Sequence, residues 1–231
     1  MAAIGKKIII LVLILAVPGF LYYLLTAKGK NRYKPLAIYG PKVVAKTGHK
    51  FHGKYIPDTI FHQLPAFALT DQFGKPVSEN TFKGKIFVAG FFYTHCPAVC
   101  ATINRNMGYL VDTYRKNKMV YFASITVDPD HDSTTVLKQY AESLKPASNR
   151  WLFLTGDTTS IYSLARKGFL VDALKAGNDD FIYSDKLILI DQEKRIRGYY
   201  SGANTNDINR LTDEIKVLIA EELRKVDKAL Y

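Results

Sequence analysis

The stretch Phe91-Phe92-Tyr93-Thr94-His95-Cys96-Pro97-Ala98-Val99-Cys100 holds both cysteines of this 231-residue chain. It closes a continuous apolar run, Ile86 to Tyr93 (IFVAGFFY), as expected of a central strand buried on both faces. Immediately after it, Ala101 to Lys116 has helical spacing, with Ile103, Met107, Leu110, Val111 and Tyr114 on one side. The cysteines therefore fall between a buried strand and the helix that follows it.

The same alternation extends along the chain. Phe67 to Thr70 and a turn at Gly74-Lys75-Pro76 predict a small hairpin, and Val120 to Val127 (VYFASITV) a second buried strand. Ser133 is placed to cap a helix through Leu144, Trp151 to Thr155 reads as a short strand, and Thr158 to Lys167 as a helix stopping at Gly168. Lys186 to Ile190 and Arg195 to Tyr200 predict a hairpin across Asp191-Gln192-Glu193-Lys194, followed by an amphipathic helix over Ile208 to Val226. Strands alternating with helices, then a hairpin and a last helix, imply an α/β layer fold with a mixed sheet. No Gly-rich phosphate motif and no G-x-S-x-G elbow occurs, so nucleotide chemistry and serine hydrolysis have no support.

The net charge of +11 is unevenly placed. Residues 1–57 carry ten basic residues and no acidic one, whereas 58–231 carry 22 basic and 21 acidic. Nucleic-acid binding needs a basic face on the domain itself, so no nucleic-acid partner is expected. Ile8 to Leu25 (IIILVLILAVPGFLYYLL) is uncharged and, at 1.5 Å per residue, just long enough for a bilayer core of roughly 30 Å. Ala27, with Leu25 two positions before it, is a poor cleavage site, which favours an uncleaved N-terminal transmembrane helix over a signal peptide. The expected organisation is a membrane anchor over 1–27, a basic linker over 28–57 and a folded domain over 58–231. Lys28, Lys30, Arg32 and Lys34 outnumber Lys6 and Lys7, so charge counting alone puts the domain in the cytoplasm.

Cys96 and Cys100 are four residues apart at a helix start. Such a position offers unpaired N–H groups and partial positive charge, which favour the thiolate, the form that attacks disulfides and binds metals. Spacing i, i+4 puts both sulfurs on one face, suiting either a reversible disulfide or a soft ion such as Cu(I). A purely structural disulfide closing so short a loop would remove little chain entropy.

Here the sequence resembles the Sco/SenC family of membrane-anchored, thioredoxin-like copper proteins, over roughly residues 60–215. The resemblance rests on His62-Gln63-Leu64-Pro65-Ala66-Phe67, Gly84-Lys85, Phe92 to Cys100, Ser124 to Asp132, Trp151 to Gly156 and Ser184 to Asp191. It implies a thioredoxin-like mixed sheet flanked by helices, a Cys96–Cys100 redox pair, and a periplasmic domain with the N-terminus in the cytoplasm, against the charge count. It also implies copper as cargo, with the copper-site subunit of cytochrome c oxidase, or another thiol or copper protein, as partner. The family binds copper through two cysteines and a histidine just before the late strand. Here that position is Tyr183, whose protonated phenol is a poor ligand for Cu(I). Ala101 and Ser133-Thr134 also depart from the family, which more often has proline after the second cysteine and Thr-Pro at the later position.

The five histidines are His49 and His52 in the expected linker, His62 at the domain entrance, His95 beside Cys96, and His131 in the loop after the second buried strand. If the two buried strands are parallel, that loop opens on the cysteine edge of the sheet, which makes His131 a candidate substitute ligand. Asp128 and Asp132 read as loop and cap residues. Two functions follow: a copper chaperone for oxidase assembly, or a thiol–disulfide oxidoreductase of the same fold that holds copper weakly for want of a third ligand. A peroxiredoxin would carry a proline shortly before Thr94, and an ordinary thioredoxin one within 179–186; neither is present.

Overall fold

The computed structural model describes residues 2–27, 35–96, 98–177 and 181–229, with the side chains of 2–4, 7–11, 25–27, 51, 98–99 and 226–229 outside the description. The chain divides into two units, 1–34 and 35–231. The first contains helix α1 (Ala2–Ala27), with Pro18 inside it. Among the described residues no helix is long and apolar enough to cross a membrane, and several side chains of the Ile8–Leu25 run lie outside them.

The second unit is built on a seven-stranded mixed sheet. Its strands are β3 (Ala68–Asp71), β4 (Pro76–Ser78), β5 (Ile86–Phe92), β6 (Val120–Thr126), β7 (Trp151–Thr155), β10 (Lys186–Ile190) and β11 (Ile196–Ser201), in the order β11-β10-β5-β6-β7-β3-β4. β5, β6 and β7 run parallel; β10 pairs antiparallel with β5, and β3 with β7. Every residue of β5 is buried, and its side chains alternate between two cores. Ile86, Val88 and Phe92 face the core made by helices α2 (Ala98–Thr113), α3 (Thr134–Leu144) and α5 (Thr205–Ala229). Phe87, Ala89, Phe91 and Tyr93 face the other, covered by α4 (Thr158–Ser163) and the π-helical turn Leu164–Phe169 that continues it. Gly90 lies flush under the first core: a Cβ there would meet Leu187 Cδ2 at 2.9 Å.

Ser133 caps α3 through its side chain, which accepts from the Val136 amide. The helix from Thr158 does not stop at Gly168. It continues to Phe169 and is capped by Leu170 in the left-handed region (φ 57°), while Gly168 is buried where a Cβ would press on Leu164 and Pro65.

The expected 28–57 linker is corrected from Pro35 onward. β1 (Lys42–Phe51) and β2 (Lys54–Phe61) form a separate antiparallel hairpin. His52 and Gly53 both take positive φ (48° and 77°), the geometry of a tight two-residue hairpin turn. The preceding segment is docked rather than loose. Tyr39 bridges to Ile196, and Arg197, buried among Asp191 and Glu221, donates to the Leu36 and Ala37 carbonyls. Residues 28–34 lie outside the described residues. The unit starting at Pro35 thus includes Lys42, Lys46, Lys50 and Lys54, which raise it to 26 basic against 21 acidic residues.

Two further strands, β8 (Ala173–Lys175) and β9 (Phe181–Tyr183), pair as a small hairpin before β10 and were not expected from the sequence.

Removing one partner of a buried ion pair strands the other charge, at a cost of about 3–5 kcal/mol. Arg197→Ala is expected to lower unfolding stability by about that amount in denaturant titration and to release the 35–39 amides to faster hydrogen exchange. An unchanged denaturation midpoint would show that the network does not hold the segment.

Candidate functional site

The parallel pairing of β5 and β6 brings their carboxyl ends to one edge of the sheet, where α/β sites form. Asp132, fully buried, joins the two ends. It accepts from the Thr94 amide at 3.2 Å, from the Thr94 hydroxyl, and from the Thr126 hydroxyl. Val127 N donates to Phe92 O at 2.8 Å and closes the same junction. The turn Thr94-His95 is thereby fixed ahead of Cys96.

Cys96, half-buried, precedes α2, and Cys100, buried, lies in its first turn. The two are joined as a disulfide, with Cα atoms 5.9 Å apart. Pro97 lies outside the described residues.

Tyr183 reaches this disulfide from β9. Its hydroxyl stands 2.7 Å from Cys100 Sγ and 3.0 Å from Cys96 Sγ. A disulfide sulfur has no proton, so the phenol is the donor. The position is set by the β8–β9 pairing of Ala173 with Tyr183 and by the edge of the Tyr93 ring, 5.7 Å away, itself packed on Phe181 at 4.9 Å. Burial, then the neighbouring Tyr93, Asp185 and Tyr140, push the Tyr183 phenol from 10.0 up to about 12. The group is therefore a protonated donor at neutral pH.

The other candidates divide. His131 is on the cysteine edge, as the parallel reading predicted. Its ring lies 6.1 Å from that of His95, and its Nδ1 is 2.8 Å from Asp128 Oδ2. His62 Nε2 meets Gly168 O at 2.7 Å, and exposed His49 meets Asp58 at 3.2 Å in the β1–β2 hairpin. Among the described residues, Tyr183 is the side chain whose polar atom lies within 3.0 Å of both sulfurs. Sequence reasoning missed Thr94 and Thr126 as the partners of Asp132, and the Tyr93–Phe181 shell. The paired polar residues closing two apolar strands, Thr94 after Tyr93 and Thr126 before Val127, were the available signal.

A thioredoxin-like α/β domain with a disulfide-bonded cysteine pair at a strand–helix junction is the class that fold and site define. The chain belongs to the SCO1/SenC family, whose profile matches residues 60–220. It is 30% identical over 209 residues to the SCO2-like protein RT0576 of Rickettsia typhi, covering 87% of this chain and 94% of that one. Among solved structures it is similar to BsSco, a member of the Sco family of cytochrome c oxidase assembly proteins in which a disulfide switch was identified. That match has a TM-score of 0.61 and 26% identity over 67% of this chain and 92% of the other. It is also similar to Arabidopsis thaliana ScoI with copper bound, at a TM-score of 0.57 and 26% identity, covering 70% of this chain and 98% of that one.

Between pH 10.0 and about 12 the folded state keeps a Tyr183 proton that the unfolded state has lost, so this residue's contribution to stability falls as pH rises through that window. Ultraviolet phenolate titration of the native protein against Tyr183→Phe is expected to show the missing phenol titrating near 12. A difference centred near 10 would mean that the hydroxyl is solvated rather than held on the sulfurs.

Proposed function

We propose that this protein is a membrane-anchored copper chaperone and thiol–disulfide protein that assists assembly of the copper centre of cytochrome c oxidase. In this reading Ile8–Leu25 is the anchor, the N-terminus is cytoplasmic and the 35–231 unit faces the periplasm, where a disulfide persists. Family membership and the likeness to a copper-bound relative support the copper role. The observation that carries the proposal is the Cys96–Cys100 disulfide beneath the Tyr183 hydroxyl.

The pair has two chemical states. Reduced, Cys96 and Cys100 supply two thiolates to Cu(I); oxidised, they hold no copper, because their electrons are in the S–S bond. In exchange, one thiolate of the reduced pair attacks a partner disulfide, forms a mixed disulfide and expels one partner thiolate. The remaining thiolate attacks its neighbour's sulfur, expels the second partner thiolate and closes Cys96–Cys100. Two electrons pass to the partner.

Tyr183 favours a second reading, that of a thiol–disulfide oxidoreductase with weak hold on copper. We assign it to the position of the family's copper-ligand histidine. Its hard, protonated oxygen adds nothing to a Cu(I) site, yet as a donor it stabilises negative charge on either sulfur once the pair is reduced.

Competition titration of the reduced full-length chain with Cu(I) discriminates the readings. Tyr183→His is expected to tighten binding by about tenfold or more, and Cys96→Ser or Cys100→Ser to abolish it. Equal, tight binding by the wild type and Tyr183→His would remove the case for the second reading. Copper retention by both serine variants would overturn the assignment of the site.

A further inference from the structure

On the side of the Cys96 turn facing the β6–α3 loop is a cavity of about 400 Å³ lined by Tyr93, His95, Asp128, His131 and Phe181. It holds two imidazoles whose orientation is set from behind. The Thr94 hydroxyl spends its proton on Asp132 Oδ1, so toward His95 Nδ1, 3.2 Å away, it acts only as acceptor. His95 is thereby assigned the tautomer with Nδ1–H and a lone pair on Nε2. On His131, Nδ1 stands 2.8 Å from Asp128 Oδ2, an ion-pair contact that keeps the ring beside the carboxylate. On His95 this leaves Nε2 as the coordinating nitrogen, and on both rings Nδ1 lies against an oxygen, the arrangement that orients metal-binding histidines.

The ring centroids are 6.1 Å apart. Imidazole nitrogens bind a first-row transition metal at about 2.0 Å, so two rings sharing one ion have centroids from about 4.5 Å apart when cis to about 6.3 Å when trans, and the observed spacing suits a near-trans pair. A separate observation concerns charge. Asp128 is buried, and its Oδ1 is the one buried side-chain oxygen or nitrogen among the described residues without a hydrogen-bond partner. A buried carboxylate oxygen lacking a donor favours a cation beside it. Among the described residues no three His, Cys, Asp or Glu side chains already converge on one point, so solvent completes the coordination.

We propose that His95 and His131, backed by Asp128, form a second metal site that takes a divalent transition-metal ion of the copper(II) class. Imidazole with oxygen donors suits Cu(II), which tops the divalent affinity order. The site needs neither sulfur, so it is open while Cys96–Cys100 is a disulfide and stands independently of the function proposed above. It gives the oxidised protein a place for copper in the state where the thiolates are unavailable.

The test uses the full-length chain with the disulfide intact, titrated with Cu(II) and followed by electron paramagnetic resonance. One equivalent is expected to bind with hyperfine structure from two nitrogens. His95→Ala and His131→Ala are each expected to weaken binding by about tenfold or more and to remove that two-nitrogen pattern, and Asp128→Asn to weaken it by about tenfold. His49→Ala/His52→Ala, in the separate hairpin, should leave affinity and spectrum unchanged. The His131 ring is half exposed, so its variant reads the site without disturbing the core. Failure to bind Cu(II), binding indifferent to His131→Ala, or loss confined to the His49/His52 variant would overturn the proposal.

Discussion

The Asp132 carboxylate is the interaction on which the site depends. It sits at zero exposure and accepts from one amide and two hydroxyls, which belong to the ends of two adjacent parallel strands. Removing it would leave three buried or half-buried donors without a partner, each worth about 1–3 kcal/mol. The strands would still pair, because Ile86 to Phe92 and Val120 to Thr126 are held by apolar burial on both faces. What would be lost is the fixed turn that delivers Cys96 to the start of α2. The same clamp orients His95 through Thr94, so the sulfur site and the histidine pair share one structural origin.

Tyr183 adds a constraint from the far side. It arrives on a three-residue strand, and its hydroxyl can donate one proton to one sulfur at a time while standing within 3.0 Å of both. Burial keeps that proton on the oxygen. A histidine at the same place would offer a lone pair to a metal; a protonated phenol offers only a hydrogen bond. A phenol here can therefore stabilise charge on the sulfurs but adds no ligand for a soft metal.

Much of this was legible in the sequence, for a physical reason. β5, β6 and β7 are continuous apolar runs because both faces of a central strand are covered, and such runs need no knowledge of their partners. The helices over Ile103–Val111 and Ile208–Leu218 were equally plain, since each buries one stripe. The β1–β2 hairpin was not, because it buries little: its exposed lysines and glycines give the composition of a tether, and its order comes from backbone pairing around the His52-Gly53 turn. β8 and β9 are too short for a period to register. Gly168 was misread as a helix end because part of its cause is tertiary, the approach of Pro65 and Leu64. His131 was placed on the correct edge by topology alone, but its pairing with Asp128 and its approach to His95 required coordinates.

The hairpin also changes the meaning of the charge. Counted from Asp58, the domain is almost neutral; counted from Pro35, where the folded unit begins, it carries an excess of five basic residues. Four lysines account for that difference, and all lie between Lys42 and Lys54, on a two-stranded sheet separate from the seven-stranded one. Asp58 is the only acidic side chain on that hairpin, and it is paired with His49. The positive potential is thus concentrated on one exposed arm, leaving the seven-stranded sheet and its helices close to balance. Exposed charges are screened beyond about 8–10 Å at physiological salt, so the arm's field acts on what lies beside it. The disulfide site instead owes its electrostatics to local groups: the start of α2, the Tyr183 hydroxyl and the Asp132 clamp.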